Sequence, residues 1–171
     1  MKKQAVRLMA GVAVAGVMAT AGSWSNGTEA ATTSANVAVS ASVAANCLVT
    51  AGSVAFGAYD PLGTHDTANL DASGTFTIQC TRGVTAQVGL GDGLHYSSGR
   101  RMEVSGGGNY LDYQLYSENT RSSVWNNTTG RVPYTAANKS AQTLTIYGRV
   151  PSGQDPVAGS YADTVEAVAE F

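Results

Sequence analysis

TTSANVAVSASVAANCLV, residues 32–49, decides how the rest of the chain is read. Val37, Val39, Ala41 and Val43 fall on one face of an extended chain, and Ala38, Ser40, Ser42 and Ala44 fall on the other. A period of two over this length predicts a β-strand with one apolar face. No strand-like segment precedes it to pair with it. Only Ala45 and Asn46 separate it from Cys47, where the next strand is expected. Ala-Asn is not a favoured two-residue hairpin turn, so folding back onto that strand is a poor solution. The apolar face is left in need of a partner.

Upstream, Lys2, Lys3 and Arg7 form a positive cluster and Leu8 to Ala21 is apolar. Small-residue cleavage sites follow at Ala19-Thr20-Ala21 and Thr28-Glu29-Ala30. The apolar run is about 14 residues, short of the roughly 20 that span a bilayer, so it reads as a secretory signal and not an anchor. With cleavage at the later site, the expected organisation is a signal over 1–30, an extension over 31–44 and one domain over 45–171. Cys47 and Cys80 are the only cysteines, and two cysteines in an exported chain predict one disulfide. The alternative, a two-thiol metal site, fails because His65 and His95 show no ligand spacing to either cysteine.

Charge is sparse, with 13% charged residues, a formal net charge of −2 and no basic run. Nothing here supports binding to nucleic acid or to an anionic membrane. Alternating segments recur between turn signals at Cys47 to Phe56, Gly74 to Cys80, Val84 to Leu90, Tyr110 to Tyr116 and Gln142 to Val150. The chain closes with Val165, Ala167, Ala169 and Phe171 sharing one face, against Glu166, Val168 and Glu170 on the other. No stretch beyond residue 30 keeps a helical apolar period. About six or seven short strands of this kind predict an all-β sandwich. The long connections Asp92 to Gly108 and Asn119 to Lys139 are expected to be loops or to hide a short extra hairpin.

Catalytic patterns are weak. His65-Asp66 has no nucleophile elbow beside it, and the glycines of Gly89 to Gly93 precede neither a Lys-Ser/Thr pair nor a helix. Asp60, Asp66, Asp71 and Asp92 lack the spacing of a calcium loop. Asn26, Asn126, Asn127 and Asn138 fit the glycosylation sequon, which matters only in a host that glycosylates asparagine. Tyr113, Tyr116 and Trp125 could line a sugar site, although sandwich core is the commoner role of such residues. The expectation is no catalytic residue, no metal and no cofactor.

A family resemblance runs through residues 36–171. It is carried by Phe56-Gly57-Ala58-Tyr59-Asp60-Pro61, then Cys80-Thr81-Arg82-Gly83, Arg101-Met102, and Leu111-Asp112-Tyr113-Gln114-Leu115-Tyr116. Arg121 ahead of Trp125 follows, then Leu144 to Pro151, Gln154 and Gly159 to Val165. In order and spacing these resemble the spore coat protein U family, the secreted pilins of archaic (Csu-type) chaperone–usher pili. Asn126 stands where the family commonly has glycine after the tryptophan, and Glu166 and Glu170 occupy the polar face of the last strand. The resemblance implies an incomplete immunoglobulin-like β-sandwich whose missing strand is supplied by the N-terminal extension of a neighbouring copy or related subunit. A periplasmic chaperone would lend a strand before assembly, and an outer-membrane usher would catalyse the exchange; the principle is β-augmentation, of which chaperone–pilin complexes are a standard example. Val37, Val39, Ala41 and Val43 are then the donor residues, and Val165, Ala167, Ala169 and Phe171 a candidate groove edge. The implied protein is a non-enzymatic pilus subunit at the bacterial surface, serving adhesion and biofilm formation. A secreted coat protein and a carbohydrate-binding sandwich are the alternatives.

Overall fold

In the computed structural model, which describes residues 31–171, period-two segments become antiparallel strands. In chain order these are β1 (Cys47–Val54), a one-turn helix α1 (Thr64–Thr67), β2 (Leu70–Cys80), β3 (Thr85–Leu90), β4 (Arg100–Val104) and β5 (Tyr110–Tyr116). After them come β6 (Val132–Thr135), β7 (Gln142–Val150), β8 (Tyr161–Ala162) and β9 (Ala167–Glu170). One sheet has the order β1-β2-β7-β5-β4-β8 and the other β6-β3-β9. The leader expected over residues 1–30 lies outside the described residues.

β2 shows why the pattern works. Phe76, Ile78 and Cys80 point inward and are buried, while the residues between them are partly or fully exposed. Its register against β7 sets Gly74 opposite Ile146 and Leu70 opposite Val150, so the inward faces of both strands coincide. Leu111, Tyr113 and Leu115 of β5 and Val88 and Leu90 of β3 close the core from the two sheets. Trp125 joins them. Its ring lies 5.6 Å from that of Phe76, and its indole N–H donates to the Val88 carbonyl at 2.8 Å. A buried indole that finds such a partner adds apolar area without an unsatisfied donor.

The expected disulfide is present. Cys47 and Cys80 are direct register partners on β1 and β2 and are bonded to each other. Cross-linking residues 33 apart removes about 4 kcal/mol of unfolded-state entropy on the chain-entropy account.

The long connections contain more order than loops. β4 lies inside Asp92 to Gly108 and forms a hairpin with β5, and β6 lies inside Asn119 to Lys139 and pairs with β3. Four boundaries also move: β1 ends at Val54, β2 starts at Leu70, β3 starts at Thr85 and β9 is confined to Ala167–Glu170. Residues 41–171 form one compact unit. The described residues before β1, 31–46, belong to no strand, and all of them are exposed.

Candidate functional site

Sheet edges are where this fold can take a partner, because an edge strand has pairing groups on one side only. Among the described residues β1 is an edge of the larger sheet, paired with β2 alone, and β9 is an edge of the smaller, paired with β3 alone. A cleft of about 540 Å³ opens beside these edges. Val49 to Val54 and Phe56 line it from the β1 side, and Tyr161 to Val165 with Ala167 from the other. Phe76, Leu90, Leu115 and Ile146 line it as well. These four belong to the buried core, so the cleft opens directly into the interior of the sandwich. A second hollow, about 680 Å³, shares Val54, Phe56, Met102 and Tyr161 with the first and extends to Tyr59, Pro61 and Val157.

Two glycines shape the β1 wall. The β1–β2 register slips between Thr50 and Ser53, so the strand carries a bulge there. A Cβ at Gly52 would run into the Thr75 carbonyl and sit 2.8 Å from Phe76 Cβ. At Gly148 on β7, an added Cβ would lie 2.6 Å from the ring of Phe56, so the ring would have to shift to make room for it.

The opposite wall is held by Asp163. Its carboxylate accepts the Tyr113 hydroxyl at 2.6 Å, the Leu94 N–H at 2.9 Å and the Thr164 N–H at 2.8 Å. Burial, and then this bond to Asp163, push the Tyr113 hydroxyl well above its ordinary range, so it stays a protonated donor. Nearby, Arg100 is buried with no carboxylate partner among the described residues. Its guanidinium donates to the carbonyls of Leu90, Gly91 and Trp125 at 2.9, 2.6 and 2.8 Å, and to Gln114 Oε1 at 2.5 Å. Burial lowers its pKa from the usual value. These bonds tie the end of β3 to β4, β5 and the Trp125 segment.

Val37, Val39 and Val43 are 85%, 90% and 85% exposed, and Ala41 is exposed with them. Val165 and Ala167 line the cleft; Ala169 packs against the core from β9 and does not reach it; Phe171 is exposed beyond the strand. The sugar-site alternative loses two of its three side chains, because Trp125 is 2% and Tyr113 6% exposed, leaving only Tyr116 partly accessible. His65 braces the turn: its Nδ1 accepts the Asp60 N–H at 2.8 Å and its ring stacks on Tyr59. Among the described residues, no three His, Cys, Asp or Glu side chains cluster as metal ligands.

Arg100, Tyr161 and Asp163 carry no sequence pattern that marks them as site residues. Glycines inside strands, at Gly52 and Gly74, were the one available signal of a bulged wall. An arginine in a polar, glycine-rich connection carries no signal that it will be buried.

Two antiparallel sheets, a stapled first strand and a cleft between their edges define an immunoglobulin-like β-sandwich. The chain belongs to the Spore Coat Protein U domain family, which matches residues 33–168. It is 36% identical over 157 residues to Protein U of Myxococcus xanthus, covering 84% of this chain and 87% of that protein. Its fold is similar to one in the crystal structure of the CsuC–CsuE chaperone–tip adhesion subunit pre-assembly complex from archaic chaperone–usher Csu pili of Acinetobacter baumannii. That superposition has a TM-score of 0.55 at 23% identity and covers 75% of this chain. The chain spans 40% of the length of that structure's chain, and the likeness is one of fold.

Proposed function

We propose that this chain is a structural, non-enzymatic subunit of a chaperone–usher pilus that polymerises by donor-strand exchange. Val37, Val39, Ala41 and Val43 of one copy, or of a related subunit, fill the cleft beside β1 and β9 of the next. The observation that carries this reading is the pairing, in one chain, of an apolar cleft open to the core with an exposed apolar strip. Burying each valine contributes roughly 1.5–3 kcal/mol, and ordering the segment costs roughly 1–2 kcal/mol per residue. Over about ten residues the ordering cost offsets the burial gain of the three valines even with modest help from main-chain ladder bonds, so long life of the joint rests on slow strand release. Each subunit gives one strand and accepts one; such a head-to-tail contact does not close, and it builds a filament.

In this reading residues 1–30 direct export and are removed, 31–44 are the donor extension and 45–171 the acceptor domain. A periplasmic chaperone holds the cleft before assembly, and an outer-membrane usher exchanges its strand for the next subunit's. The filament then serves attachment and biofilm formation at the cell surface. The test is thermal unfolding of a truncated chain starting at Ala45, with its disulfide intact, with and without a peptide of residues 32–45. A large and slowly reversed rise in Tm is expected. A stable domain indifferent to the peptide would overturn the reading.

The family's name, and the resemblance to Protein U, favour one second reading, a secreted coat built by the same exchange. Electron microscopy of the producing cells separates a coat layer from extended fibres.

A further inference from the structure

We propose that Thr81 is a positioning residue for the donor strand, clamping the short link that joins it to its own domain. The proposal rests on the donor-strand reading above. Between Val43 and Cys47 lie only Ala44, Ala45 and Asn46. Thr81 holds two of them: its backbone N–H donates to the Asn46 carbonyl at 2.9 Å, and its hydroxyl donates to the Ala44 carbonyl at 3.3 Å. The Cys47–Cys80 disulfide fixes the residues directly beyond the link and directly before the clamp. The clamp itself sits on an anchored turn. Val84 N–H bonds the Thr81 carbonyl at 3.0 Å, and Gly83 N–H bonds the Ala136 carbonyl at 2.8 Å. Gly83 adopts φ 85°, the left-handed backbone that such a turn needs.

Ala45 is thus the one link residue whose carbonyl Thr81 does not hold. In a polymer, a link of this kind has little freedom to act as a hinge, whereas an unheld one of the same composition would flex. Thr81 therefore sets the angle between successive subunits and the stiffness of the filament, without entering the cleft.

The experiment compares filaments of the full chain, exported and assembled with its own chaperone and usher, by electron microscopy. The readout is the distribution of bend angles along single filaments. Thr81→Val keeps the shape and the backbone donor but loses the hydroxyl, and is expected to shorten the persistence length at least twofold with filament yield unchanged. Thr81→Ser restores the hydroxyl and should restore the stiffness. Equal stiffness in Thr81→Val and the parent would overturn the proposal. If Thr81→Val does not fold, a Gly-Ser pair inserted between Ala45 and Asn46 carries the test, since it frees the link without touching the turn. Unchanged stiffness there would overturn it equally. Failure of the donor reading looks different: Val39→Asp would then polymerise like the parent, whatever the bend angles.

Discussion

Val39→Asp should abolish polymerisation while leaving a folded, chaperone-bound subunit. Val39 is 90% exposed in the free chain. Seating it among Phe76, Leu90, Leu115 and Ile146 would withdraw nearly the whole side chain from water, a contribution of about 1.5–3 kcal/mol that aspartate forfeits. The carboxylate adds its own penalty. None of the described residues lining the cleft is Lys or Arg, and the one charged group there, Asp163, has the same sign. A polar group buried without a partner costs roughly 2–7 kcal/mol, and a charge more. A combined loss of about 5 kcal/mol weakens the joint roughly 10³–10⁴-fold. Val39 is exposed and outside both sheets, so folding of 45–171 should be unaffected. The assay is size-exclusion chromatography of the secreted fraction, with electron microscopy, for the parent, Val39→Asp and the conservative Val39→Ile. Val39→Ile should polymerise. Filament yield from Val39→Asp within twofold of the parent would refute the seating of this residue in the cleft.

Three further outcomes follow from the packing. Arg100→Met should cost about 3 kcal/mol in urea unfolding, because the carbonyls of Leu90, Gly91 and Trp125 lose a buried donor. Arg100→Lys should rescue only part of this, since an ammonium cannot reproduce the planar fork. Gly52→Ala should displace β1 from β2 at the bulge and lower stability by roughly 2 kcal/mol or more, read as a lower urea midpoint, because the new methyl meets the Thr75 backbone and not a flexible side chain. Acidification should act partly through Asp71. The hydrogen bonds from Arg149, then burial opposing them, then the charges of Arg121 and Arg149, leave its carboxyl below the ordinary value of 3.8. A depressed folded pKa means stability that is present above the ordinary value and is lost as pH falls through the folded one. The Tm of Asp71→Asn should therefore fall less than that of the parent between pH 5 and pH 2; parallel curves would show that Asp71 contributes nothing.

Much of the fold was written in period-two patterning. Tyr110–Tyr116 and Gln142–Val150 could be bounded to the residue, because their inward positions are large and apolar and their outward ones polar. β4 and β6 were hidden. Arg100 is an inward residue that is charged, and the residues of β6 are only half buried or exposed, so hydrophobic alternation marks neither strand. A two-residue strand such as β8 has no period at all.

By itself the sequence determined an all-β chain, one disulfide and an uncharged apolar strip ahead of Cys47. All of these are local: they follow from spacing and residue type within a few positions. Tertiary structure alone decided where the sandwich is open. The cleft is bounded by β1 near one end of the chain and by Tyr161 to Ala167 near the other, and Phe76, Leu90, Leu115 and Ile146 come to it from four different strands. Which edges remain unpaired depends on the order of strands in two sheets, a property of long-range pairing that no window of sequence contains. For the same reason Ala169 and Phe171, on the same alternating face as Val165 and Ala167, do not line the cleft: the face is set by the period of two, but its reach is set by where β1 passes.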